Sequence, residues 1–149
     1  MEMTQIEGVT STVRETEANL GKDAKLVITE KLMTHDKQVA KSNVVANLNG
    51  KGSTLQIVSR SVAKNESVQA FHPIAVGNEK CRAHIQCDSI IMDHAKVASI
   101  PEIQANHTDA QIVHEAAIGR INNEQLLKLE TFGLDEQEAE AVIVDAFLS

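Results

Sequence analysis

Along the first ~110 residues, apolar and polar positions alternate with a period of two in short runs. Ala24, Leu26 and Ile28 alternate with polar neighbours, as do Val44, Ala46 and Leu48, then Leu55 and Ile57. Ala83, Ile85, Cys87, Ser89 and Ile91 interleave with Arg82, His84, Gln86 and Asp88, and Ile103 with Ala105 and Ala110 with Ile112 close the series. Neighbouring side chains on a strand point to opposite faces, so this period predicts many short, half-buried strands. Turns are predicted at Gly21-Lys22-Asp23, Asn49-Gly50-Lys51-Gly52, Gly77-Asn78 and Asn106-His107-Thr108-Asp109. His72-Pro73 reads as the start of another, because proline pushes the residue before it out of helical conformation. Recurring Ala, Ser and Asn among the Val and Ile suit tightly stacked coils, as in a β-solenoid. A β-sandwich gives the same alternation, and no exact repeat decides between the two.

The pattern changes after residue 120. Asn122 is placed to cap a helix with Gln125 completing a capping box, and Leu126, Leu129 and Phe132 follow at helical spacing before Gly133 stops it. Asp135 caps a second helix with Glu138 closing its box, and Ala139, Val142, Ile143, Ala146 and Phe147 form an apolar stripe. That stripe is expected to pack over the end of the β-stack. The chain therefore reads as a β core over 1–120 and a helical segment over 121–149, together one structural domain.

Composition narrows the function. The 149 residues carry a net charge of −7, three Phe and no Trp or Tyr. A nucleic-acid surface needs clustered cations and stacking rings, so that class is disfavoured. No apolar run is long enough to span a membrane, and no secretory signal opens the sequence. The two cysteines, Cys81 and Cys87, read as reduced thiols, and the protein as cytoplasmic. Two cysteines cannot form a four-thiolate cluster site within one chain.

Candidate chemistry is sparse. His114 and Glu115 bring an imidazole and a carboxylate, good transition-metal ligands, to a strand end. Neighbours on a regular strand diverge, so both can reach one centre only if the chain bends there. His114 shares parity with Ile112 and, on the residues alone, reads first as a buried, hydrogen-bonded histidine and second as a ligand. Cys87 is in phase with Ile85 and reads first as a small buried apolar residue, second as a ligand. Asn49-Gly50-Lys51-Gly52-Ser53-Thr54 lacks the spacing of a phosphate loop and reads as a turn. No nucleophile–base arrangement can be assigned, so no enzyme activity is expected.

Several segments resemble the SufB/SufD family of iron–sulfur cluster assembly. Leu48-Asn-Gly-Lys-Gly-Ser is similar to its Leu-x-Gly-x-Gly-Ala segment, Gln86-Cys-Asp-Ser to the Gln-Cys-Asp-Ser of SufB, and Ile100-Pro-Glu-Ile to Pro-x-Leu-Glu-Ile. His114-Glu-Ala-Ala-Ile-Gly-Arg-Ile resembles the family's His-[Gly/Glu]-Ala-Thr-x-Gly-x-Ile, and Glu124-Gln-Leu-Leu-Lys-Leu its Glu-Gln-Leu-Phe-Tyr-Leu.

The resemblance implies a mainly β fold, a right-handed parallel β-helix capped by two short C-terminal α-helices, and tips the choice away from a sandwich. It implies a non-catalytic scaffold that docks a SufC-like ATPase and pairs as a homodimer or a SufB/SufD-type heterodimer through the β-helix. Leu126, Leu127, Leu129, Phe132 and Phe147 are the implied partner contacts. His114 and Glu115, with Cys87 in a lesser role, are the implied ligands of a transient iron–sulfur cluster or iron. No intrinsic cofactor is implied. Lys96 stands where SufB carries a functional cysteine, and lysine cannot replace a thiolate. The alternative is a structural, self-associating β-solenoid without metal chemistry.

Overall fold

A computed structural model describes residues 1–4 and 9–149. The described residues form two five-stranded parallel sheets. The first contains β1 (Glu2–Thr4), β3 (Lys25–Thr34), β5 (Ser53–Ala63), β7 (Cys81–Ile91) and β10 (Ala110–Gly119). The second contains β2 (Ser11–Leu20), β4 (Val39–Leu48), β6 (Val68–Gly77), β8 (Lys96–Ser99) and β9 (Glu102–Ala105), the last two lying end to end along β6. The chain alternates between the sheets, and each strand pairs with the equivalent strand one turn later. Lys25 lies beside Thr54, Ser53 beside Cys81 and Cys81 beside Ala110, steps of 29, 28 and 29 residues. This is the parallel β-solenoid, not the sandwich.

The alternating residues point where their period places them. Ile28, Ile57 and Ile85 stack in one inward column against Val44, Ala46 and Leu48 of the opposite sheet. The four expected turns all fall at one corner, one per rung. There Asn49, Asn78 and Asn106 stack, the Asn78 amide donating to the Asn49 side-chain carbonyl at 2.7 Å and the Asn106 amide to that of Asn78 at 2.8 Å. Gly50 is required at this corner: a Cβ would lie 2.0 Å from the carbonyl carbon of Gly21. The other corner is built on Asp36, Asn65 and Asp93, all with φ near +55°, which Asn and Asp tolerate best after glycine. The Asn65 side chain accepts from the Asp36 backbone N–H, and the Asp93 side chain from that of Asn65.

His72-Pro73 corrects one expectation. Both residues sit inside β6, with Pro73 fully buried. Proline lacks the N–H that a ladder needs. The neighbouring rung answers with a gap: β8 ends at Ser99 beside Phe71, β9 begins at Glu102 beside Ile74, and Ile100-Pro101 falls between.

The helices follow as α1 (Asn123–Thr131) and α2 (Glu136–Leu148). The Asp135–Glu138 capping box forms in both directions. At α1, Asn122 caps the Glu124 N–H, and Gln125 instead donates its backbone N–H to the Asn122 carbonyl. Gly133 takes φ +94° just past α1. The apolar face of α2 is rotated from the expected stripe: Ala139 and Val144 are buried, while Val142 is exposed. Val144 packs with Val62 and Met92, joined by Ile90, Ile121, Phe147 and Leu148. The helix thus lies on the flank of the stack, because Val62 and Ile90 stand outward there on β5 and β7.

Candidate functional site

The last rung ends both sheets. Among the described residues β10 pairs only with β7, and β8 and β9 only with β6, so each sheet closes on an edge strand. Ala110 and Ile112 still pack against the core, but further along the same inward face Ala116 and Ile118 are exposed. Among the described residues no strand lies opposite them.

β10 runs unbroken through its His-Glu pair, so the two side chains diverge. His114 is in register with buried Ile85 and faces inward; its Nε2 is buried and without a hydrogen-bond partner among the described residues. Glu115 is in register with Gln86 and faces outward, where its carboxylate lies 3.2 Å from Nε2 of His84 on β7. The carboxylate's partner is thus a histidine on the preceding rung. Only the 28–29 residue offset, invisible as a repeat, could have linked them.

Cys87 also faces inward, in register with Ala116 and Ser59. Burial pushes its thiol up from the ordinary value, opposed by the Ser99 hydroxyl and reinforced by the charges of Asp88 and Glu30. It is therefore a protonated, weakly nucleophilic thiol at neutral pH. Cys81 is likewise free and buried.

Cys87 belongs to a polar seam inside the solenoid that sequence reasoning missed. Glu30, Ser59, Ser61, Gln69, Ser89 and Ser99 line a void of about 10 Å³, the size of roughly one water. Glu30 is buried and accepts from Ser42 Oγ at 2.8 Å and from Arg14 at 3.3 Å. Burial pushes its carboxyl above the ordinary range; Ser42 and Arg14 oppose the shift. The signal available was Glu30 itself, at an inward position of the Leu26–Leu32 alternation.

On the helices, Leu126 and Leu129 are half-buried, and Phe147 packs inward with Val144. Leu127 and Phe132 remain 63 % and 76 % exposed.

The family model for the SufBD core domain of SUF-system iron–sulfur cluster assembly matches residues 1–147. The chain belongs to this family. An iron–sulfur cluster assembly SufBD family protein of Methanocaldococcus jannaschii is 37% identical over 128 residues, 85% of this chain and 40% of the relative. One from Pyrococcus horikoshii is 30% identical over 132 residues, 88% of this chain and 40% of the relative. One from Methanothermobacter thermautotrophicus is 34% identical over 104 residues, 68% of this chain and 25% of the relative. The chain thus spans well under half the length of these SufBD relatives. No helix among its described residues is long and apolar enough to cross a membrane.

Proposed function

We propose that the chain is a non-catalytic scaffold of iron–sulfur cluster assembly, whose last rung meets a second subunit and whose helices dock a SufC-type ATPase. The observation that carries the reading is the uncovered last rung. It leaves an edge strand, two exposed inward side chains and the orphaned Nε2 of His114 together at one end. A buried imidazole nitrogen without a partner costs about 1–3 kcal/mol. An iron centre held between two subunits, as cargo, would satisfy it. Pairing through β10, to a second copy or a SufD-like partner, would also close the open edge.

The ATPase is assigned to the free face of α1. Leu127 on α1 and Phe132, its C-cap, are apolar and exposed, and a few anchors buried at the centre of an interface carry most of its binding energy. A purified SufC-type ATPase should bind the chain with its natural termini. Replacing Leu127 and Phe132 together by Asp should weaken binding at least about tenfold, since two anchors at about 1 kcal/mol or more each are lost. Absence of binding, or equal binding by the variant, would count against this assignment.

The structural alternative, self-association without metal chemistry, also draws on the open edges. It predicts dimers by light scattering that hold no acid-labile sulfide after exposure to iron and sulfide.

A further inference from the structure

We propose that His84 and Glu115 form a two-donor site for a first-row divalent metal ion on the outer face of the last two rungs. The site shares Glu115 with the reading above but stands on the geometry of this pair alone. Imidazole Nε2 and carboxylate Oε2 lie 3.2 Å apart. Two donors on one ion at ordinary metal–ligand lengths are separated by roughly 3.0 Å at octahedral and 3.4 Å at tetrahedral angles. The two atoms are hydrogen-bonded to each other without metal, and their spacing is that of two ligands on one ion. Its backbone is fixed by two adjacent, laddered strands, and both side chains are accessible, His84 at 40% and Glu115 at 64%.

No set of three His, Cys, Asp or Glu donors converges among the described residues. The protein thus gives two donors, and solvent or a small exogenous ligand completes the shell. His84 also lines an open groove of about 740 Å³ with Lys25, Arg82, Gln56, Gln111 and Val113. Lys25 and Arg82 have no ion-pair or hydrogen-bond partner for their side chains among the described residues. Their charge opposes a bare cation and favours an anionic co-ligand entering along the groove. On the other side of the pair, Asp88 is held by the Gln86 amide at 2.7 Å.

The test is isothermal titration of the chain with Zn²⁺ alone at pH 7.5, with Co²⁺ absorption as a second readout. The parent should bind one equivalent. His84→Ala and Glu115→Gln should each weaken binding at least about tenfold, the size of loss that even an outer-shell partner of a metal ligand causes. His114→Ala should bind like the parent. Both altered side chains are exposed, so thermal unfolding without metal should be unchanged, and the Zn²⁺-dependent rise in Tm should vanish in the two variants. No binding by the parent, or equal binding by His84→Ala, would reduce the pair to an ion pair and overturn the proposal. Zn²⁺ binding in a chain that captures no ATPase would overturn the docking assignment and leave this site standing.

Discussion

Arg14→Ala is expected to destabilise the chain by about 2 kcal/mol at pH 8, and the deficit should shrink as the pH falls. Glu30 is buried in the seam with two partners on one oxygen, Ser42 and Arg14. Removing one member of a buried pair leaves the other charge uncompensated, which costs about 3–5 kcal/mol when both are fully buried. Arg14 keeps 29 % of its side-chain surface and the contact is 3.3 Å, so solvent screening lowers the figure. The sign with pH follows from the raised Glu30 carboxyl, where burial outweighs Ser42 and Arg14. An acid whose folded pKa lies above its unfolded value binds more protons when folded. Its ionisation therefore destabilises the fold as pH rises through the folded pKa, and the cost is absent below the unfolded value, near 4.5. Losing Arg14 raises that cost only where Glu30 is ionised. Glu30→Gln in the Arg14→Ala background should restore most of the stability at pH 8. Urea unfolding of parent, single and double variants across pH 4.5 to 8 checks this. A deficit constant with pH, or no rescue by glutamine, would contradict it.

Ile57→Ala should cost about 3 kcal/mol, a drop of roughly 10 °C in Tm, while Ile118→Ala should cost under about 1 kcal/mol. Both side chains point inward from the same sheet. Ile57 is enclosed between Ile28 and Ile85 and is 1 % exposed; Ile118 sits on the last rung at 46 %. Truncating Ile57 leaves a cavity between rungs that cannot collapse without shifting two ladders, whereas Ile118 has no strand opposite it. If a second subunit covers the rung, the Ile118→Ala deficit should grow in the dimer. Equal costs for the two substitutions in the monomer would show that the last rung is already closed within one chain.

Much of this architecture could be read from the residues. Period two placed Leu26, Ile28, Val44, Leu48, Leu55, Ile57, Ala83 and Ile85 on their correct faces, because apolar burial fixes strand parity. Both helix caps were legible, since Asn122 and Asp135 act through bonds two or three residues away. β2 and β6 escaped notice because their inward positions include Thr12, Arg14, Thr16, Gln69 and Pro73. Arg14 and Gln69 face the seam, and polar or proline residues at inward positions leave the alternation little hydropathy contrast. The 28–29 residue offset was hidden for a related reason. Stacked positions preserve backbone register everywhere but residue type only in some columns: Ile28, Ile57 and Ile85 repeat, whereas Glu30, Ser59, Cys87 and Ala116 form one column of four residue types. The pairing of Glu115 with His84 depends on that offset, and the rotated face of α2 on an outward Val62 that strand parity assigned to solvent.

On the function proposed above, the open last rung holds cluster cargo at the inward imidazole of His114. Anaerobic incubation with iron and sulfide, followed by desalting and assay of acid-labile sulfide, tests it most directly, because a simple ion at the outer His84–Glu115 pair carries no sulfide. The parent should retain sulfide with its iron, and His114→Ala should lose most of it while unfolding at the same temperature. Equal sulfide retained by the two proteins, or none by the parent paired with its partner subunit, would contradict the claim.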